Sequence, residues 1–245
     1  MTNCQSPVYF LSDSHLPLIP NSVDRDWEMK VVSFLKSEAK KAKTLFLVGD
    51  IFDFWFEWKH SVPAGGFRVL AALHELKLSG CEIHYLAGNH DGHPGKFLEK
   101  EVGLHVTRGS IQAEIDGSRF FIIHGDGAAK GDWGYRILRA LVRWKPTESI
   151  YRLIHPDFGI WFANRISKAS RQHLSKEDKF GLDPYKEYAL KKIDQGYDYV
   201  IMGHRHKAGY FPHGDGAFLS IGEWIRAGSY GVFENGKLTL NYFKD

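Results

Sequence analysis

Five short motifs carry most of the residues able to do chemistry: Asp13-Ser14-His15, Asp50-Ile51-Phe52-Asp53, Asn89-His90-Asp91, His124-Gly125-Asp126 and His204-Arg205-His206. Their imidazole nitrogens and carboxylate or amide oxygens suit divalent manganese, iron, zinc or nickel. No cysteine stands among them, which argues against a structural zinc site. In Asp13-x-His15 and His204-x-His206, alternate side chains at a strand end point the same way and can grip one ion. Asp13, His15, Asp50, Asn89, His124, His204 and His206 make seven candidate ligands. That is too many for one catalytic ion that must also hold water. It fits two ions sharing a bridging carboxylate, roughly 3.5–4 Å apart. Gly49, Gly88, Gly125 and Gly203 abut these residues, where a missing side chain lets backbone come close. His60, His74, His84, His105, His155, His173 and His213 lie outside the motifs and read as satisfied core or surface residues. His93 is left open.

Something must bring the five motifs together. Each follows a short apolar run, at 8–11, 45–48, 83–87, 120–123 and 199–202. Their length and their β-branched or aromatic content predict buried strands, and ligands gather beyond the carboxyl ends of such strands. Trp27, Val31, Phe34 and Leu35 mark a helix over about 24–43. Phe67, Leu70, Leu73 and Leu76 mark another, stopped by Gly80. Short strands follow at 210–211, 217–221, 223–227, 230–233 and 237–243. Asp116-Gly117, Asp215-Gly216 and Asn235-Gly236 read as hairpin turns. The pattern predicts an α/β fold of two face-to-face sheets with helices outside, in one domain over 1–245. Residues 127–182 break it. They lack strand-like runs and read as helices interrupted near Pro146 and Pro156, an insertion beside the site.

Composition narrows the class. Hydrophobic residues make up 43% and charged residues 25%, an ordinary globular balance. Cys4 and Cys81 form no C-x-x-C pair, so the reading is a reducing compartment without a disulfide framework. With no signal-like N-terminus and no apolar run of about 20 residues, the expected location is cytoplasmic. A net charge of +3 is too small to argue for nucleic acid, but its distribution is uneven. From 133 to 173 there are eight basic residues and two acidic ones. Arg136, Arg139 and Arg143 share a helical face, while Ile137, Leu141 and Trp144 share another. A basic amphipathic helix suits an anionic membrane surface. The expectation is a helical lid that can rest peripherally on such a surface, with a hydrophobic cleft beside Trp161 and Phe162.

The five motifs, taken in order, resemble the calcineurin-like metallophosphoesterases over 13–206. The resemblance implies a four-layer α/β/β/α sandwich. It implies that Asp13, His15, Asp50 and His206 hold one ion and that Asp50, Asn89, His124 and His204 hold the other. Hydrolysis at such a pair proceeds by in-line attack of water on phosphorus. His90 is then the expected general acid, and Asp53 the carboxylate that orients it and raises its pKa. A looser resemblance points to the subgroup that cleaves the pyrophosphate of UDP-2,3-diacylglucosamine with manganese, giving a lipid-linked nucleotide as substrate. It rests on 50–55, His124-Gly125-Asp126 with Asp132 and Tyr135, the helical segment, and Ile221-Gly222-Glu223-Trp224. It implies substrate-binding roles for Trp55, Asp132, Tyr135, Asn164, Ser170 and Arg171, and a lid at the inner membrane that shelters acyl chains through Trp161 and Phe162. Two departures are plain: His90 stands where the subgroup commonly has arginine, and Arg205 where it commonly has threonine. A phosphodiesterase or phosphatase on a soluble nucleotide or phosphoprotein, and a non-catalytic binding module, remain as alternatives.

Overall fold

A computed structural model describes residues 1–128, 144–174 and 182–244. At 145 and 166–174 the description covers the backbone alone. The strands are β1 (Thr2–Cys4), β2 (Val8–Leu11), β3 (Thr44–Val48), β4 (Glu82–Leu86), β5 (His105–Thr107) and β6 (Ser110–Ile115). They continue as β7 (Ser118–Ile123), β8 (Tyr199–Met202), β9 (Gly209–His213), β10 (Gly216–Ser220), β11 (Ser229–Glu234) and β12 (Lys237–Tyr242). One sheet has the order β12-β11-β2-β3-β4-β5 and the other β1-β6-β7-β8-β10-β9. The five motif-bearing strands pair in parallel, β2 with β3 and β3 with β4 in one sheet, β7 with β8 in the other.

Both faces of the first sheet are buried, which is why its strands read as unbroken apolar runs. In β2, Val8 and Phe10 point between the sheets, while Tyr9 and Leu11 point to the helices. Between the sheets Phe10 stacks on Phe46 and Phe120, ring centroids 5.4 and 6.0 Å apart. Outside the first sheet, helices α1 (Ser22–Ser37) and α2 (Phe67–Leu78) lay Phe34, Leu35, Leu70 and Leu73 on it. Outside the second, Tyr185 and Ala189 pack on Phe121 and Val200. They belong to a helix over Asp183–Asp194. The result is the four-layer α/β/β/α sandwich.

Local chemistry explains the boundaries. Asn21 and Asp24 close a reciprocal capping box at the start of α1. Asp116-Gly117 and Asn235-Gly236 take positive φ at both positions, as tight hairpins require. The expected strand at 223–227 is instead a turn. Its Trp224 is fully buried against Phe34 and donates its backbone N–H to Asp13 O at 3.2 Å. A strand could not bring that amide to β2's end.

Helix α3 (Lys145–Leu153) and helix α4 (Pro156–Leu174) occupy the described part of the expected lid, and the Asp183–Asp194 helix is therefore α5. Pro146 and Pro156 stand in first turns, where proline opens a helix. Asp132, Tyr135 and the face of Arg136, Arg139 and Arg143 lie outside the described residues, as do the side chains of Ser170 and Arg171. Among the described residues no helix is long and apolar enough to cross a membrane.

Candidate metal centre

The carboxyl ends of β2, β3, β4, β7 and β8 converge, and their loops are cross-tied. Asp13 N donates to Gly49 O at 3.1 Å and His15 N to Asp50 O at 3.0 Å. Asp13, His15, Asp50 and His124 are each no more than 1% exposed. Burial this complete of so many polar groups demands partners. Asp13, His15 and His206 offer ligand atoms within 4.8 Å of one another, and so do Asp50, His124 and His204. Asn89 Oδ1 joins the second set, 3.1 Å from His124 Nε2 and 3.0 Å from His204 Nδ1. Asp50 faces both, its Oδ2 3.2 Å from His124 Nε2 and 4.0 Å from His15 Nε2.

The donor set fits divalent cations. Asp13 Oδ1 is buried without a hydrogen-bond partner. Beside it, His15 and His206 bring their Nε2 atoms within 3.0 Å of each other. Two imidazole nitrogens and a carboxylate oxygen aimed at one point make a ligand set for such an ion. His124 turns Nδ1 to Val48 O at 2.8 Å, which directs Nε2 at Asp50 and Asn89. That second bond is how a protein orients a ligating imidazole.

The backbone is strained at the same residues. Asp13, His15, Asp50, His204 and His206 all have φ between 43° and 69°. Non-glycine residues hold that region only when the surroundings over-determine them. A Cβ on Gly88 would lie 2.1 Å from Asp50 Oδ1, and one on Gly203 2.0 Å from Ser12 Oγ. Both glycines are therefore required by close approach.

Charge in the cluster is set by mutual proximity. Burial works against ionisation of Asp13 and Asp50, yet both carboxyls are pushed well below the usual range, Asp13 by His15 and His206, Asp50 by His124 and His90. Burial likewise opposes a charged His15, but Asp13 and Asp53 raise its ring to about 10. His204 goes the other way: burial and neighbouring His124 lower it to about 4.

Asp53 sits between two imidazoles: it, His15 and His90 offer ligand atoms within 4.8 Å of one another. Its carboxylate Oδ1 lies 3.5 Å from His15 Nδ1. His90 also turns Nδ1 to the Asp53 backbone carbonyl at 3.0 Å. Asp53 thus positions a candidate ligand, and its peptide group positions His90. The reason is the turn at 50–53, which points the side chain into the β2 loop and the carbonyl toward the β4 loop. His90 N also donates to Asp50 Oδ1 at 2.8 Å.

Trp55 is fully buried in the core, packed on Phe52, with its indole N–H on Glu57. It offers no surface to a substrate. Asn164 is half-buried on α4. Sequence reasoning missed Asp91. This fully buried carboxylate accepts from Gly88 N at 2.7 Å and Ile51 N at 2.8 Å, and from the Tyr85 hydroxyl. It clamps the Asp50 loop to the Asn89 loop. Its place in the Asn89-His90-Asp91 motif was the available signal.

A cavity of about 740 Å³ opens between residues 56–62, residues 93–101 and α3. It is not the cleft expected beside Trp161 and Phe162. Charged side chains line much of it, and neither Trp161 nor Phe162 does. Those two are 49% and 46% exposed, beside Phe158 at 55%. They fall at i, i+3 and i+4 of α4, on a face that no described element covers.

Sandwich and site together define a metal-dependent phosphoesterase. The chain belongs to the calcineurin-like phosphoesterase family, whose pattern matches residues 6–208. It is 31% identical to a UDP-2,3-diacylglucosamine hydrolase of Porphyromonas gingivalis, over 98% of this chain and 99% of that one. It is 24% identical to the enzyme of that name from Haemophilus ducreyi, over 88% and 91% of the two chains. A solved archaeal phosphodiesterase shares the fold, with a TM-score of 0.51 at 16% identity over 97% of this chain and 100% of that one.

Proposed function

We propose that this chain hydrolyses the pyrophosphate bond of UDP-2,3-diacylglucosamine, releasing UMP and 2,3-diacylglucosamine 1-phosphate. The observation that carries the reading is the end-to-end similarity to the Porphyromonas gingivalis hydrolase, which runs through α3 and α4 as well as the strand ends. Asp13, His15, Asp50 and His206 hold one divalent ion, and Asp50, Asn89, His124 and His204 the other, with manganese the first candidate. When bound, such ions neutralise phosphoryl oxygens and acidify water. The chain's own residues do the rest. Asp50 holds the two sets in register, Asp53 orients His15, and Asp91 fixes the loops. His90, anchored through Nδ1, presents Nε2 to protonate the leaving oxygen. Acyl chains and a cytoplasmic membrane surface meet the exposed face of Phe158, Trp161 and Phe162. Arg165 lies 5.5 Å from the Trp161 ring and brings a cation to that face.

The charged lining of the cavity favours a second reading, a phosphodiesterase or phosphatase acting on a soluble nucleotide or phosphoprotein. The deciding experiment measures UMP release from UDP-2,3-diacylglucosamine beside turnover of soluble phosphodiesters, with and without manganese. Metal-dependent UMP release at a much higher kcat/KM supports the first reading. Turnover of soluble esters alone would transfer the site to the second.

A further inference from the structure

The cavity beside the His90 loop mixes aromatic side chains with cations, and the cations suit an anion. Lys59, Lys96, Lys100 and Arg108 all face it. Among the described residues none of the four has a carboxylate within 4.0 Å. A fifth cation, Arg152, is paired with Glu148 at 2.8 Å. The remaining carboxylates on the wall are Glu57 and Glu101. Glu57 is spent on structure: it accepts from Gly95 N and Phe97 N, both at 2.9 Å, and from the Trp55 indole. Its charge is thereby spread over donors instead of opposing a bound anion.

The same bonds make the wall rigid. A Cβ on Gly95 would meet Glu57 Oε2 at 2.3 Å, so the backbone sits on the carboxylate and carries Lys96 with it. Arg108 is pinned on the far side, its Nη2 on Pro94 O at 3.1 Å. Phe56 and His93 join the two loops by a β-bridge. His93 lies three residues beyond His90, so the cavity continues the loop that holds the candidate general acid. Solvated lysines on a convex surface cost nothing and mean nothing. Lys59, Lys96, Lys100 and Arg108 are exposed too, but together they line one concavity of small-molecule size, which raises its potential and favours an anion.

We propose that this cavity binds a phosphate monoester anion beside the metal centre. The proposal rests on the site being that of a phosphoester hydrolase, but not on the acylated substrate. Two sources share this chemistry: the nucleotide portion released from the substrate, and free inorganic phosphate.

The test titrates the metal-loaded protein with UMP, inorganic phosphate and uridine by calorimetry, in wild type and in Lys96→Ala/Lys100→Ala. Melting temperature checks folding, and Lys96→Arg/Lys100→Arg tests rescue. The double alanine variant is expected to weaken UMP binding about tenfold, with the arginine pair restoring most of it, and wild-type binding should weaken as salt rises. Uridine should not bind. An equal loss for UMP and phosphate identifies the bare anion as ligand; a loss for UMP alone identifies the nucleotide. Unchanged affinities for both in a folded double alanine variant overturn the proposal. Failure to hydrolyse UDP-2,3-diacylglucosamine, with lysine-dependent UMP binding intact, sinks the substrate reading and leaves this one standing.

Discussion

The strand-end cluster and the helices α3 and α4 are built on opposite plans. In the cluster, polar side chains are buried, five backbones are held at positive φ, and each loop is tied to the next. On the helices, large apolar side chains face outward, among them Leu153 at 87% exposed and Ile150 at 65%. Their described attachment is an aromatic one: Tyr151 packs on Phe56, and Trp58 donates to Ile154 O at 3.0 Å. Strain stored in the cluster needs a rigid frame, which the sandwich supplies. Exposed apolar surface needs a partner, which the described residues do not supply. The first region carries the candidate ligands of a phosphoesterase family; under the proposed function, the second would select the substrate.

Breaking the cluster should have the largest effect. Asp50 faces both ligand sets, so Asp50→Ala should empty both and lower turnover by about 10⁴ or more. Metal analysis alongside kinetics checks this, and a variant that keeps both ions and its rate removes the bridging role. His90→Ala should lower turnover by about 10²–10⁴ while metal content stays. The loss should shrink for esters whose leaving group is already a weak base. Loss of an ion instead would make His90 a ligand.

Cutting the other region should touch recognition alone. Trp161→Ala with Phe162→Ala should raise KM for a diacylated substrate about tenfold and leave a small phosphodiester untouched. Melting should barely move, because both side chains are already half exposed. An equal effect on both substrates erases the contrast between the regions. Most subtle is a proton count. His15, raised to about 10, carries a proton at pH 8 in the metal-free chain, and against the pull of burial Asp50 raises His124 well above its ordinary value. Loading metal must displace the His15 proton, about one per chain. Metal affinity should therefore rise with pH until His15 titrates near its raised value. Calorimetry in buffers of different ionisation enthalpy measures the release, and none at pH 8 would falsify the protonated cluster.

Much of this was legible in the residues. The strands at 8–11 and 199–202, the hairpins at 116–117 and 235–236, and the metal-ligand candidates follow from period, turn chemistry and donor type. All three are local properties that a short window contains. The partners of those residues are not. Asp53 reaches His15 from 38 positions away, its Oδ1 3.5 Å from His15 Nδ1, while its carbonyl faces His90 Nδ1. Asp91 clamps the Asp50 loop across about 40 residues. Trp55, which motif reasoning placed on the substrate, went to the core because its ring fills the space beside Phe52 and its N–H found Glu57. The cavity's charge is a tertiary fact too, since Lys59, Lys96 and Arg108 come from three separate segments. By itself the sequence determined which groups could bind a metal and which runs would be strands. Only the packing of two sheets and their covering helices decided which groups meet, because contact over such separations depends on how the chain returns on itself.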